Sequence, residues 1–265
     1  MRLSIEHRTR YRFTTPQARI VQLLRMTPEN TYDQTVAAWH IEIDCDARMT
    51  SHRDGFGNHT TMLYCEGPLE DIELTVTGEV VTSSSGGVLH GSHETLPPAV
   101  FRRTTPTTSA DAAVEAFARD LAGGADRAAL TRLNAAIGKR FTLDAARPTP
   151  GLSVAEAFAR SALTARDMAQ LFVAGARCVG APARYVSGYC DLAGDHRPTP
   201  HGWAEAWIAG DGWIGFDPML GTLTDQHHVR VAAALDAVGA APIAGSRLGE
   251  GVEALDVDVT VQAEG

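Results

Sequence analysis

Lysine is nearly missing from this chain: Lys139 is the only one in a Lys+Arg total of 23. The arginines are scattered, in pairs such as Arg102-Arg103 at most, and no basic cluster forms. With a formal charge of -9, this argues against nucleic acid or an anionic membrane as the main partner and favours a neutral or cationic ligand. The lysine scarcity by itself points to no function. Also missing is any apolar run of about 18 residues, the length a membrane-spanning helix needs. The amino terminus, Met1-Arg-Leu-Ser-Ile-Glu-His7, turns charged within a few residues and has no apolar core of a signal peptide, so a soluble cytoplasmic protein is expected. Cys45, Cys65, Cys178 and Cys190 show no CxxC spacing, which indicates neither a zinc knuckle nor a disulfide framework and leaves them as buried reduced thiols.

What is present divides into two patterns. Leu3–Phe13, Trp39–Cys45 and Ile72–Val81 alternate apolar and polar residues with period two, the mark of an antiparallel sheet with one wet face. Asp54-Gly-Phe-Gly-Asn58 reads as a turn between two such strands, its glycines suited to positive φ. From Ser83 through Pro97-Pro98 to Pro106 the chain is rich in Ser, Gly, Thr and Pro without periodicity, as in a linker or extended crossover. Ser109–Ala122 then predicts a helix with Ala113, Phe117 and Leu121 on one face, and Arg127–Arg140 a second with Ala129, Leu130, Leu133 and Ile137 inward.

Ser153-Val-Ala-Glu156 has the form of a capping box, and Thr164-Ala-Arg-Asp167 repeats it. The second opens a helix whose apolar face carries Met168, Leu171, Phe172, Gly175 and Val179, ending near Gly180 and Pro182. Ala165 is then the first helical residue. Strand patterns follow at Ala183–Asp191, His201–Ile208, Trp213–Asp217 and Leu255–Val261. The fold class is α+β, organised as an amino-terminal β domain over 1–85, a crossover over 86–108, and a core over 109–265 of helices packed on an antiparallel sheet with a carboxy-terminal strand.

Gly180-Ala-Pro-Ala-Arg-Tyr-Val-Ser-Gly-Tyr189, His201-Gly-Trp203, Gly215-Phe-Asp-Pro218 and His228-Val-Arg230 together resemble the bacterial transglutaminase-like superfamily, over roughly residues 110–235. Asp54-Gly-Phe-Gly-Asn58 extends the likeness to that family's amino-terminal β region. The resemblance implies a papain-like core with a Cys-His-Asp triad, the Cys at a helix start, and acyl transfer at an amide to water or an amine. Here His201 and Asp217 stand for base and orienter, while the nucleophile position holds Ala165. A thiol there would be favoured as thiolate by the helix dipole and free N–H groups; a methyl group cannot attack a carbonyl.

For His201 and Asp217 to meet, the hairpin joining their strands needs an odd step. A four-residue connection pairs Ile208 with Trp213 and puts Asp217 opposite Ala204, on the other face from His201. A bulge or three-residue loop within Ala209-Gly-Asp-Gly212 puts it opposite Trp203, diagonal to His201 on the same face.

Trp203, Thr164 and Asp167 complete the candidate cleft: Trp203 as a wall, Thr164 as helix cap and nearest hydroxyl, Asp167 as a helix-start carboxylate satisfying amides. Ser161 lies further back than Thr164, and Cys178 and Cys190 read as core residues. Arg184 reads as a structural ion-pair partner. His201, Asp217, Asp225, His227 and His228 lie near one another in sequence, but no standard spacing supports a metal site, and no metal or cofactor is expected.

Three functional readings stand. The first is a pseudoenzyme that binds a peptide or protein partner in the former cleft. The second is a cysteine peptidase or amidase whose residue 165 has been substituted. The third is a structural or assembly protein acting through its β domain. The residues before Ala165, Ser161-Ala-Leu-Thr164, lack the Gly that typically precedes the family's Cys, which favours a loss in the lineage over a single exchanged residue. The oligomeric state is left open.

Overall fold

The computed structural model describes residues 1–145, 149–192 and 199–264. Two long strands dominate the first sheet: β1 (Arg2–Leu24) and β4 (His59–Thr82) pair antiparallel from Arg2↔Val81 to Leu24↔Thr61, with a register shift between Arg12 and Arg19. Their alternation buries Leu3, Ile5, Leu74, Val76 and Val80 on one side. β2 (Gln34–Ile43) and β3 (Ala47–Arg53) both pair with β4.

The crossover does more than its composition predicts. Gly215 N–H donates to Gly87 and Leu89 N–H to Trp213, and a short 3-10 helix at Pro98–Arg102 buries Phe101. The helices follow: α1 (Ala112–Ala122), α2 (Arg127–Arg140), α3 (Val154–Phe158) and α4 (Ala165–Cys178), with the two-residue strands β5 (Thr142–Leu143) and β6 (Ala162–Leu163) paired parallel between them. Asp111, Asp126, Ser153 and Thr164 cap the four helices by accepting from N–H groups of the first turn. In α1 the fully buried face is Val114, Ala118 and Ala122, one residue on from the expected stripe; Phe117 and Leu121 pack at its margin.

The second sheet has the order β10-β9-β8-β7-β11, built from β7 (Ala183–Cys190), β8 (His201–Ile208), β9 (Gly212–Asp217), β10 (Thr222–Leu223) and β11 (His228–Ala234). α4 lies on it, with Phe172 stacked on Phe216 at 4.8 Å, and α1 to α3 cover the other side of α4. Every residue from Asp167 to Ala176 is therefore buried, where a single apolar face was expected. Gly175 makes the close approach possible: a Cβ there would lie 3.0 Å from Leu133 and 3.4 Å from Ala118.

One expectation is corrected at the carboxy terminus. β12 (Ile243–Leu248) and β13 (Glu253–Glu264) leave the core and pair with the free edge of β1, from Leu24↔Ile243 to Arg2↔Glu264. The segment 243–264 thus belongs to the first sheet, not to a core running to residue 265. Alternation declares a strand but not its partner, and β1 is long enough to take two more strands end to end. The two sheets meet through Leu3, Ile5, Val80 and Val259 against Tyr189, Val229 and Val231. The Asp54–Asn58 turn joins them as well, since Asn58 exchanges two hydrogen bonds with the backbone of Ala233. Among the described residues no helix is long and apolar enough to cross a membrane.

Candidate functional site

At the start of α4, Thr164 Oγ1 accepts from the Asp167 N–H at 3.3 Å and donates to Asp167 Oδ2 at 2.7 Å. The Asp167 carboxylate is held further by Arg166 at 2.8–3.0 Å. Thr164 and Asp167 are thus occupied with each other and buried, and the reciprocal bond of a full capping box is replaced by a hydroxyl-to-carboxylate contact. Ala165 is half-buried between them.

His201 is the first residue of β8. The β8–β9 connection has three residues, Ile208 pairing with Gly212, so the ladder runs Trp207↔Trp213 to Ala204↔Phe216 and leaves Asp217 level with Trp203. Gly210 and Gly212, at φ +94° and +88°, supply the left-handed steps that such a loop needs. This is the odd step that the pairing argument requires, and His201 Nε2 lies 2.6 Å from Asp217 Oδ2. Asp217 is fully buried, and its other oxygen accepts from the Met219 and Leu220 N–H groups at 3.0 and 3.2 Å.

Two neighbours complete this cluster. His228 Nε2 reaches the same Asp217 oxygen at 3.1 Å, and His228 Nδ1 lies 3.1 Å from Asp225 Oδ1. Burial works against the charged form of His228, but hydrogen bonds to Asp217 and Asp225 overcome it and hold its pKa well above that of ordinary histidine. Burial also opposes ionisation of Asp217, and the charges and hydrogen bonds of His201 and His228 win, keeping the carboxyl far below its usual range. The second neighbour is Cys190, whose buried thiol lies within 4.8 Å of ring nitrogens of His201 and His228 and is pushed up in pKa by burial. Cys190, expected as a plain core residue, is the one that sequence reasoning missed. Its place depends on β7 pairing with β11, Cys190 opposite His228, which no local pattern reveals. His227 turns away towards Asp191 at 3.3 Å.

Trp203 is also placed differently. Its ring stacks beside His201 at 6.0 Å and meets His228 edge-on at 5.3 Å, and it lines a small cavity with Glu205 and Arg230. A second cavity, about 300 Å³, lies on the other side of His201 between the two sheets. Arg166, Tyr185, Ser187 and His201 line it from the core, and His7, Thr9, Tyr11, Leu255 and Val257 from β1 and β13. Trp203 therefore backs the imidazole instead of walling the cleft. His7, hydrogen-bonded to Tyr189 and Thr9, is lowered to a pKa of about 4 by burial.

Arg184 forms the expected ion pairs: Nε to Glu205 at 2.6 Å and a bidentate clamp to Glu94 at 2.8 Å, its guanidinium 3.8 Å over the Trp213 ring. Arg230 closes the network on Glu205 at 2.7 Å.

Comparison with known proteins follows this division of the chain. Residues 3–81 match the family model of the bacterial transglutaminase-like N-terminal region, and residues 115–218 that of the transglutaminase-like superfamily. A protein of Mycobacterium leprae is 27% identical with 98% of each chain covered, and one of Mycobacterium tuberculosis is 26% identical over 92% of this chain and 87% of its own. Among solved structures, a Cytophaga hutchinsonii protein ascribed to the cysteine proteases superposes with a TM-score of 0.77 over 99% of this chain and 90% of its own, at 17% identity. That likeness is one of fold.

Proposed function

Since the chain belongs to the transglutaminase-like superfamily, we propose that it is a pseudoenzyme of that family, one that binds a peptide or protein partner in the cleft beside His201. The observation that carries this reading is Ala165, a half-buried methyl group at the capped start of α4, where the resemblance puts the nucleophile. Nucleophilic catalysis needs a lone pair beside the base. The hydroxyl next to residue 165 in sequence, Thr164 Oγ1, is committed to Asp167 at 2.7 Å, and the Cys190 thiol near His201 is buried and kept protonated by that burial. The cavity between the sheets supports binding over a purely structural role, because it leaves space next to His201 instead of packing it shut.

Two measurements test this. Amidase and transamidation assays on the chain should stay at background, and Ala165→Cys should raise hydrolysis by less than about ten-fold, because the approach to residue 165 has diverged as well. Hydrolysis above background that His201→Ala abolishes would overturn the reading. For binding, a random peptide library displayed against the purified chain should yield ligands whose affinity falls on Thr9→Trp, which fills the cavity, and holds on Met49→Ala, on the exposed strand β3. Ligands insensitive to Thr9→Trp would move the partner surface elsewhere.

A further inference from the structure

Four neighbouring strands each bring one metal-ligating side chain to the same end of the second sheet. Gly188 pairs with His201 and Cys190 with His228. Side chains alternate along a strand, so Cys190, two residues past Gly188, shares a face with both histidines. Asp217, level with Trp203, shares it too. One ligating atom from each of Cys190, His201 and His228 lies within 4.8 Å of the other two, and all three residues are buried. Asp217 Oδ2 stands 2.6 Å from one Nε2 and 3.1 Å from the other.

This exceeds what a catalytic dyad requires. A general base needs one acceptor to orient it; here a single carboxylate oxygen serves two imidazoles, with a thiol alongside. Asp225 holds His228 from behind, the outer contact that sets the orientation of a ligating imidazole. We propose that Cys190, His201, His228 and Asp217 form a four-coordinate zinc site.

The chemistry of the donors selects the ion. One sulfur, two imidazole nitrogens and one carboxylate suit tetrahedral zinc, whereas magnesium and calcium take six or more ligands that are mainly oxygen. Bonds of about 2.0–2.3 Å place tetrahedral donors roughly 3.3–3.8 Å apart. The cysteine and the two histidines, within 4.8 Å of one another, therefore close by up to about an ångström, while the Asp217 contacts, now 2.6 and 3.1 Å, open by a fraction of one. Thiolate and carboxylate together cancel the two charges of the ion. On binding, the Cys190 proton and the extra proton of any imidazolium pass to solvent, and each histidine ligates as the neutral ring with its remaining proton on the other nitrogen; nothing is oxidised or reduced. Four protein donors fill the shell, so the ion is structural, and it occupies the histidine that a hydrolase would need free. The site goes beyond the binding reading above and does not depend on what the cleft holds.

The test uses the full chain without an affinity tag, stripped by a chelator and reloaded with zinc. After dialysis, elemental analysis should find one zinc per chain. Cobalt in its place should give the visible bands of a tetrahedral centre and a thiolate-to-cobalt band in the near ultraviolet. Cys190→Ser should remove the thiolate band, and His228→Ala should weaken zinc binding at least about ten-fold. Cys178→Ser should change neither, and circular dichroism checks that each variant is folded. If Cys190→Ser does not fold, X-ray absorption at the zinc edge of the unaltered chain reads the one-sulfur shell directly. Zinc well below one per chain, or a cobalt spectrum without the thiolate band, would overturn the site. Peptide binding by the metal-free chain would leave the proposed function standing in that case, and a zinc-loaded chain that binds no peptide would do the reverse.

Discussion

Four residues apart on β8, His201 and Glu205 each anchor a buried polar cluster on the same face of one sheet, roughly 13 Å from each other by the rise of a strand. The Glu205 cluster is closed. Two guanidiniums, Arg184 and Arg230, meet two carboxylates, Glu205 and Glu94, and the short contacts on Arg184 leave little freedom. Arginine keeps its charge at every ordinary pH, so such a network can only hold position. The His201 cluster is open in the chemical sense. Its imidazoles and thiol can exchange a proton for another Lewis acid, and its buried carboxylate, Asp217, is shared between two imidazoles. Trp203 lies between the two in the strand and backs the second. The same sheet thus carries a rigid charge lock at one level and an exchangeable donor set at the next.

The largest expected effect breaks the lock. Glu205→Ala leaves Arg184, itself 1% exposed, without its closest acceptor and deprives Arg230 of its partner. Removing one member of a buried pair costs about 3–5 kcal/mol. Thermal melting should fall by on the order of 10 °C. A loss under about 1 kcal/mol in urea unfolding would show that Arg184 is held by Glu94 and Trp213 alone.

Acid separates the two levels next. Glu205 sits at a pKa of about 2: burial alone would raise it, and Arg230 and Arg184 outweigh the burial. A depressed carboxyl stabilises the fold above its unfolded pKa, near 4.5, and that contribution fades as pH falls towards 2. Its size is about 3 kcal/mol, from 1.36 kcal/mol per pKa unit. His7, between the sheets near the open cluster, acts in a higher window. Its folded pKa is about 4 and its unfolded value 6.5, so the unfolded chain takes up a proton first and stability drops between pH 6.5 and 4, again by about 3 kcal/mol. Urea unfolding across pH should flatten between 6.5 and 4 in His7→Gln and between 4.5 and 2 in Glu205→Gln. One common window for both variants would deny the separation.

How far these clusters could be read in advance depends on how local their cause is. The extents of α2 and α4 follow from capping residues and apolar spacing, and the meeting of His201 with Asp217 follows from counting residues through one hairpin. Cys190 is different, because its neighbours come from β8 and from β11, 38 residues away in the case of His228, and only the sheet order brings them together. Glu94 reaches Arg184 from a stretch whose composition suggested a bare crossover, since one ion pair leaves no periodic trace. Within 243–264 the alternation of Leu255–Val261 marks a strand without naming β1 as its partner, and Ile243–Leu248 carries no such alternation at all.

The smallest expected effect sharpens the contrast from the open side. In metal-free protein, Cys190→Ser exchanges one small buried donor for another beside His228, and the cost should stay within about 1 kcal/mol, against several for Glu205→Ala. Saturating zinc should change that ranking. An ion that binds the folded chain alone adds stability by mass action, about 2.7 kcal/mol at a hundred times its dissociation constant. Unaltered protein would gain this and Cys190→Ser most of it not, so the gap between them should widen with zinc while Glu205→Ala keeps its deficit unchanged. Urea midpoints for the three proteins, with chelator and with zinc, read both differences. If zinc moves all three midpoints equally, the ion binds elsewhere and the donor set beside Trp203 is as closed as the Glu205 lock.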